Sequence, residues 1–500
     1  MRVLIRADAS PTIGSGHIAR CLTLARVLRT QGSHVAFACR RLPGHRLDAL
    51  QSEGFETFAL PERYAGEDPE QAIESMLPWQ ADIDALATQL EGQPEFDWVI
   101  ADHYGLDHHW QTAARRFAPR IAAVDDLATR RYSVDLLLNQ NLSGLSENYQ
   151  PLLPTGCRTL LGPRFAMLRE EFSGPAIEIK PVARRVLVNF GGFDAARQTH
   201  HAMLALTDFS ALEVDFVAGA DNPAWAEMQA LAETRPRWRL HSFVSDFHRR
   251  MTEADLFIGA GGGTSWERAA LGLPTICIAV SNNQQANGEV MAAAGAHVFM
   301  GAREQVGVEQ LRDAIGFVVG NFYLRQSLAE RSRHLVDGRG ALRVAAALAG
   351  AVLKLRLATP DDAQLLFEGR NAEAVRRWSL DSGAIDWTQH VNWLGASLRN
   401  PQRLLLVAEA DDGPVGVLRY DLRGFEAEVS LYLFEGRLGL GWGRALLAQG
   451  ETFVAAHWPQ MTAITAQVLP ANQPSMNVFR DAGFTQSACA FTKVLKEFRQ

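Results

Sequence analysis

A histidine stands directly behind a Gly-x-Gly in the segment Gly14-Ser15-Gly16-His17. Imidazole is the side chain whose ordinary proton affinity suits a base near neutral pH. If a helix opens here, its N-terminus favours anionic groups and the neutral ring, while Gly14 and Gly16 let backbone approach a ligand closely. The same residues also make a tight turn with a surface histidine, and a lone Gly-x-Gly does not separate the two readings. A second glycine run, Gly259-Ala260-Gly261-Gly262-Gly263-Thr264-Ser265-Trp266-Glu267, offers successive backbone N–H groups to a phosphate. Thr264 and Ser265 can cap a helix or take a phosphate oxygen. Glu267 can accept two ribose hydroxyls, or it can simply complement a helix dipole. Amide side chains over 282–288 (Asn-Asn-Gln-Gln-Ala-Asn-Gly) read as a loop suited to hydroxyls and a neutral base edge. A third run, Leu438-Gly439-Leu440-Gly441-Trp442-Gly443-Arg444, alternates glycines in a way that leaves amides to grip a pyrophosphate. Glu428 ahead of it can orient or deprotonate an amine, or can be an ordinary outward-facing strand residue.

These groups need elements to hold them. Apolar, β-branched runs at Val3-Leu4-Ile5, 35–38, 98–101, 121–124 and 136–138 alternate with helical stretches, the first over 18–29. They stop at Asp102-His103, Asp125-Asp126 and Asn139, with Asn141 just beyond, which suits a doubly wound parallel sheet binding ligands past its strand ends. The pattern loosens over 157–183 at Gly162-Pro163, Gly174-Pro175 and Pro181, a predicted hinge or linker. A second α/β series begins with Arg185-Val186-Leu187-Val188-Asn189-Phe190 and includes 214–217, 256–259 and 275–278. Residues 341–354 are Ala-rich, carry Arg343 and are too short for a membrane span, so they predict a buried or amphipathic helix. After residue 353 the strands run consecutively (404–408, 415–420, 428–433) with a turn at Asp411-Asp412-Gly413, which is a meander. The expected fold class is α/β: two Rossmann-like lobes over 1–160 and 161–350, then an α+β domain over 353–500.

At 6–25, Arg-Ala-Asp-Ala-Ser followed by Ile-Gly-Ser-Gly-His-Ile-Ala-Arg-Cys-Leu-Thr-Leu-Ala resembles the opening of the pseudaminic-pathway UDP-sugar hydrolases. The block Asn189-Phe190-Gly191-Gly192-Phe193-Asp194 and the run 259–267 resemble the same family, which is related to the glycosyltransferase of lipid II synthesis. The resemblance covers about residues 1–345 and implies a GT-B-like fold that hydrolyses UDP-2,4-diacetamido-2,4,6-trideoxy-β-L-altropyranose to UDP and free sugar. His17 then matches the histidine that activates water, and Glu267 the acid that holds the uridine ribose. Asp8, Gly14 and Gly16 belong to the same active-site loop, and Gly261, Gly262, Gly263, Thr264 and Ser265 to the nucleotide site. Asp102, His103, Asp125 and Asn141 receive no role from sequence.

From 353 to 497 the glycine run and the segment 472–484, beginning at Asn472, resemble the GNAT acetyltransferases. The resemblance implies acetyl-CoA as co-substrate, held by Leu438, Gly439, Gly441, Gly443, Arg444 and Asn472, with Glu428 as catalytic candidate. Two positions depart from the family: Leu438 stands where Arg or Gln is usual, beside Arg437, and Phe479 where a tyrosine acid is usual. Gly369-Arg370-Asn371-Ala372-Glu373 and Trp387-Thr388-Gln389-His390 further resemble the acetyltransferases of the pseudaminic pathway, whose product is the hydrolase substrate. A glycosyltransferase with an acceptor other than water, a different amino sugar, and a nucleotide-sugar sensor are the competing readings. Net charge of -7 argues against general nucleic-acid binding. Five scattered cysteines without a CxxC pair, and no signal-like or membrane-spanning run, predict a cytoplasmic enzyme without a membrane anchor. No spacing reads as a metal-ligand set.

Overall fold

Strands whose two faces are both apolar must be covered on both faces, and the central strands of the first sheet are. The computed structural model describes all residues except 11, 65–76, 145, 192–193, 350–352, 380, 411–412, 440–441 and 487–500, and omits the side chains of residues 283 and 481. The chain divides into two compact units, Met1–Ala349 and Gly350–Gln500. In the first unit, β1 (Arg2–Ala7), β2 (His34–Arg40), β3 (Glu56–Leu60), β4 (Trp98–Asp102), β5 (Arg120–Val124), β6 (Leu136–Asn139) and β7 (Arg158–Leu161) form one sheet of order β3-β2-β1-β4-β5-β6-β7. All its pairings are parallel. Val3 and Ile5 pack into one buried layer and Leu4 into the other, so an uninterrupted hydrophobic run is what this position requires.

A second parallel sheet contains β8 (Arg185–Asn189), β9 (Glu213–Val217), β10 (Trp238–His241), β11 (Leu256–Ala260), β12 (Thr275–Ala279) and β13 (Val298–Ala302), in the order β10-β9-β8-β11-β12-β13. Its faces divide in the same way, Val186, Val188 and Ile258 on one side and Leu187 and Phe257 on the other. The strand order reverses between β1 and β4 in the first sheet and between β8 and β11 in the second. Ligands of doubly wound sheets bind at such switch points, past the carboxyl ends of the strands.

Three details differ from the sequence reading. The 282–288 stretch is not a loop but the opening of the helix Asn282–Ala293. Gly288 lies inside that helix because a Cβ there would stand 2.5 Å from the Phe299 ring. The linker is fixed in place: Arg325 donates to the carbonyls of Lys180 and Pro181 (3.0 and 2.9 Å), and Arg333 to that of Gly174 (2.6 Å). The helix Gly340–Leu348, expected in the second lobe, returns to the first. Its Ala341, Val344, Ala345 and Leu348 join the layer of Val3 and Ile5, and Trp98 Nε1 donates to the Leu348 carbonyl at 2.8 Å. Burying Val344 and Leu348 contributes about 1.5–3 kcal/mol each, which helps draw this helix back to the first lobe.

The second unit is a five-stranded sheet: β14 (Lys354–Leu357), β15 (Arg403–Ala410), β16 (Gly413–Arg423), β17 (Glu426–Leu433) and β18 (Ala463–Ala466), in sequence order. β14 to β17 are antiparallel, and β18 pairs with β17 in parallel. Among the described residues, no helix is long and apolar enough to cross a membrane. Cys21, Cys39, Cys157 and Cys277 are free thiols, and Cys489 lies outside the described residues.

Candidate active sites

At the switch point of the first sheet, β1 leads through a tight turn into the helix Gly16–Thr30, and β4 ends at Asp102. The turn is closed by the Gly14 amide donating to the Ser10 carbonyl at 2.7 Å, with Gly14 at φ 80°, a left-handed conformation that favours glycine. His17 is the second residue of the helix, and its Nδ1 lies 2.6 Å from Asp102 Oδ1. A carboxylate there places the proton of the neutral ring on Nδ1 and makes Nε2 the basic nitrogen. Arg20, one turn along, grips Asp102 with two nitrogens (2.7 and 2.6 Å) and reaches Asp126 at 2.8 Å. Burial alone would raise the Asp102 pKa, but Arg20 and His17 outweigh it and hold the carboxyl well below its usual range. Tyr104 and Asn141 donate to Asp126 (both 2.7 Å), and the Tyr104 ring meets the His17 ring edge-on. The result is a fixed histidine beside an ionised Asp102, set in a polar network.

The other loop residue singled out by sequence sits deeper. Asp8 is buried, accepts from Arg6 Nη1 (2.7 Å) and from the Arg40 amide (2.8 Å), and lies 3.5 Å from His103 Nε2. Asp8 therefore anchors the strand ends beneath the loop. His103 accepts from the Gly105 amide, and burial pushes it down to about 4 against the pull of Asp8. Asp125 is buried too and accepts from the Leu127 and Ala128 amides and from Tyr149, a loop-building role.

At the switch point of the second sheet, Gly261 to Gly263 join β11 to the helix Thr264–Leu271. Gly259 must be glycine because a Cβ would stand 2.1 Å from the Asn189 carbonyl oxygen of β8. Gly262 and Gly263 have no such neighbour, so their bareness leaves backbone open to a ligand instead. Gln284 Oε1 accepts from the Gly261 and Val280 amides (both 3.1 Å), tying the glycine loop to the next strand end. The Ser265 hydroxyl is buried and accepts from Arg268 Nη2 at 2.8 Å. Thr264 remains partly exposed as the first helical residue. Glu267 is set beside Arg169 (3.7 Å), and burial raises its pKa against that charge. Gly191 (φ 99°), Asp194 (φ 33°) and Arg197 (φ 56°) concentrate left-handed backbone in the facing β8 loop; Gly192 and Phe193 lie outside the described residues. Leu142 N donates to Asn287 Oδ1 (3.1 Å), joining a loop of the first lobe to the amide helix of the second.

In the second unit, β17 and β18 pair only from Glu426↔Ala463 to Val429↔Ala466, although β17 runs on to Leu433. Ser430 to Leu433 therefore present one strand edge without a strand partner among the described residues, a place for an extended amide-bearing chain. Glu428 stands at the end of the paired stretch, half-buried and 3.3 Å from Arg423. Beyond the edge, Gly439 is at φ 75° and the helix Trp442–His457 begins. Gly441 and Leu440 lie outside the described residues. Leu438 and Arg444 are exposed at this turn, whereas Gly443 serves packing, since a Cβ would come 3.3 Å from Val478. Asn472 caps the helix Gln473–Asp481 by accepting from the Ser475 amide at 3.2 Å. Phe479 packs edge-on against Phe484. Asn371 makes a two-way clamp with Ile385 (3.0 and 2.9 Å), so that motif builds the fold of its loop.

Sequence assigned no partner to His17: Asp102 is 85 positions away, and only the β1–β4 pairing brings them together. Nor did spacing predict the group of three ligand-capable side chains that meets in space among the described residues, Asp107, His108 and His109. There Asp107 is engaged in capping the following helix through the His109 and Trp110 amides, whose positive end disfavours a cation.

Comparison with known proteins agrees with this division. Residues 353–485 match the family model described as an acetyltransferase (GNAT) domain. The UDP-2,4-diacetamido-2,4,6-trideoxy-beta-L-altropyranose hydrolase of Campylobacter jejuni is 25% identical over 60% of this chain and 98% of its own length. An Acidithiobacillus ferrooxidans UDP-N-acetylglucosamine–N-acetylmuramyl-(pentapeptide) pyrophosphoryl-undecaprenol N-acetylglucosamine transferase is 32% identical over 69% of this chain and 96% of its own. The spore coat polysaccharide biosynthesis protein SpsG of Bacillus subtilis is 29% identical, and the chain spans 55% of its length. Among solved structures, MurG of Acinetobacter baumannii superposes with a TM-score of 0.51 at 16% identity, over 70% of this chain and 99% of its own. Over its first unit the chain belongs to the GT-B-fold nucleotide-sugar family that includes the altropyranose hydrolase and the N-acetylglucosamine transferase, and its second unit is a GNAT acetyltransferase domain.

Proposed function

We propose that the chain carries out two consecutive steps on one UDP-amino sugar. The second unit transfers acetyl from acetyl-CoA to the 4-amino group. The first then hydrolyses the product, UDP-2,4-diacetamido-2,4,6-trideoxy-β-L-altropyranose, to UDP and free sugar, a place in pseudaminic acid synthesis in the cytoplasm. The observation that carries the hydrolase reading is the His17–Asp102 pair at the switch point of the first sheet.

His17 Nε2 takes a proton from water as the water oxygen bonds to the anomeric carbon. The bond from that carbon to the diphosphate oxygen breaks, and UDP leaves with the electron pair. Asp102 holds the ring and stabilises the imidazolium. The Gly262 and Gly263 amides receive the diphosphate charge, with the Gly261 amide held by Gln284, and Glu267 receives the ribose. In the acetyltransferase, the open edge of β17 receives the pantetheine arm and the turn at Gly439 the pyrophosphate. Glu428 orients the amine and takes the proton its nitrogen loses. The amine nitrogen bonds to the thioester carbonyl carbon, and coenzyme A departs as thiolate. Phe479 cannot protonate that thiolate, so water supplies the proton.

An NMR time course with the UDP-4-amino sugar and acetyl-CoA tests both halves. Acetylation followed by release of UDP and free sugar is expected, with His17→Ala stopping after acetylation and Glu428→Gln slowing the first step. No turnover of either the amino sugar or separately supplied diacetamido sugar sinks the substrate assignment. Sugar transfer only to an added acceptor replaces the hydrolase reading with a glycosyltransferase.

A further inference from the structure

Two fully buried arginines in the second lobe lack a carboxylate, and their surroundings differ in a telling way. Among the described residues no carboxylate lies within 4.0 Å of either guanidinium. Arg325 donates to the carbonyls of Val318 and Val319 at the end of the helix Val308–Gly320, the negative end of its dipole, where a cation is welcome. Arg268 is placed against the dipole. It lies in the helix Thr264–Leu271, is 2% exposed, and reaches back to that helix's positive end. Both Nη atoms donate to the Ala260 carbonyl (3.0 Å each), Nη2 to Ser265 Oγ (2.8 Å) and Nη1 to Thr264 Oγ1 (3.4 Å). Its guanidinium also lies over the Phe257 ring at 4.5 Å.

These partners are the residues immediately before and after the Gly261–Gly263 loop. A buried cation without an ion-pair partner is unfavourable, a penalty that the charge of the adjacent Glu267 offsets only in part, and a helix N-terminus adds to it. An anion arriving at the glycine loop reverses both penalties at once. We propose that Arg268 is the built-in counter-charge of the diphosphate site, a positioning residue that sets affinity for the nucleotide's phosphates from beneath the loop without touching them. The proposal rests on the reading that this loop receives the nucleotide. It assigns Arg268 two linked tasks: clasping both ends of the loop so that its amides point outward, and supplying charge that water does not screen.

The test is an NMR titration of the full-length chain with UDP and, separately, uridine, comparing wild type with R268M, R268Q and R268K. Methionine keeps the volume and removes the charge, and glutamine does so while keeping a donor for Ala260. The expected result is a loss of UDP affinity on the order of 10–100-fold in R268M and R268Q, with uridine affinity nearly unchanged. R268K restores most of the UDP affinity. If UDP and uridine affinities fall together, or neither falls, Arg268 is only a structural clasp and the proposal is overturned. R268Q gives the same reading if R268M does not fold. Failure of wild type to bind UDP overturns the nucleotide reading itself, and this inference with it, and is told apart because no variant is involved.

Discussion

His17 owes its proposed chemistry to a residue 85 positions away. Replacing Asp102 by Asn keeps the shape but removes the charge that stabilises an imidazolium and fixes the Nδ1 proton. The rate of UDP release at saturating substrate should therefore fall by about 10²–10⁴-fold, with a smaller change in KM. A D102N variant within tenfold of wild type, folded by circular dichroism, would refute the orienting role. This pairing marks the limit of what the sequence discloses about single residues. The family resemblance of the segment 6–25 points to His17 because that signal is local. Asp102 is one of several polar residues at strand ends, and nothing in the order of residues says that β4 lies beside β1. Asp8 shows the converse: motif membership draws attention to it, but its carboxylate is engaged by Arg6 and the Arg40 amide.

At the scale of elements, the glycines of one short segment divide into two kinds. Gly259 is required by strand packing, since a Cβ would stand 2.1 Å from a β8 carbonyl oxygen, whereas the nearest group to a Cβ at Gly262 is the Gln284 side-chain nitrogen at 3.7 Å. Gly259→Ala should lower Tm sharply, by a free energy of about 1–3 kcal/mol or more. Gly262→Ala should melt like wild type yet bind UDP about tenfold more weakly, because the methyl stands where backbone meets phosphate. Calorimetric melting with UDP titration checks both, and a Gly262→Ala protein of unchanged affinity would remove the loop from the phosphate site. Alternation of strands and helices was readable because both faces of each parallel strand are buried, leaving long apolar runs. The Asn282–Ala293 helix was not: its first turns are polar amides, and the packing of Gly288 on Phe299 comes from a strand ten residues on. The helix Gly340–Leu348 was legible as an amphipathic segment, but its partner was not, because the layer it joins was laid down by the first residues of the chain.

Over the whole molecule, two units of different architecture share one chain, and the change from alternation to meander near residue 353 is visible in composition alone. They also share a sensitivity to acid. Burial lowers the pKa of His103 and His297 in the first unit to about 4 each, and that of His390 in the second. Nε2 of His297 donates to the Gly288 carbonyl and Nε2 of His390 to that of Ala363, both at 2.9 Å, bonds that raise each pKa but are outweighed by burial. Between the unfolded value of 6.5 and about 4, the unfolded chain binds a proton at each ring that the native state refuses. Stability from these groups is therefore complete above pH 6.5 and declines as pH falls through that window, by at most about 1.4 kcal/mol per pH unit for each ring. Asp102 contributes in the same direction only at lower pH, because its native pKa is depressed below an already acidic unfolded value. Scanning calorimetry from pH 7.5 to 5 should show the first unit losing stability with a slope of about two protons from His103 and His297, increased by the part-buried His200, and the second with a slope of at most one. His297→Gln, which retains a donor for the Gly288 carbonyl, should remove one proton from the slope of the first unit and leave the second unchanged. Equal slopes in variant and wild type would mean that His297 titrates normally in the native state and that its burial does not set the acid limit of the fold.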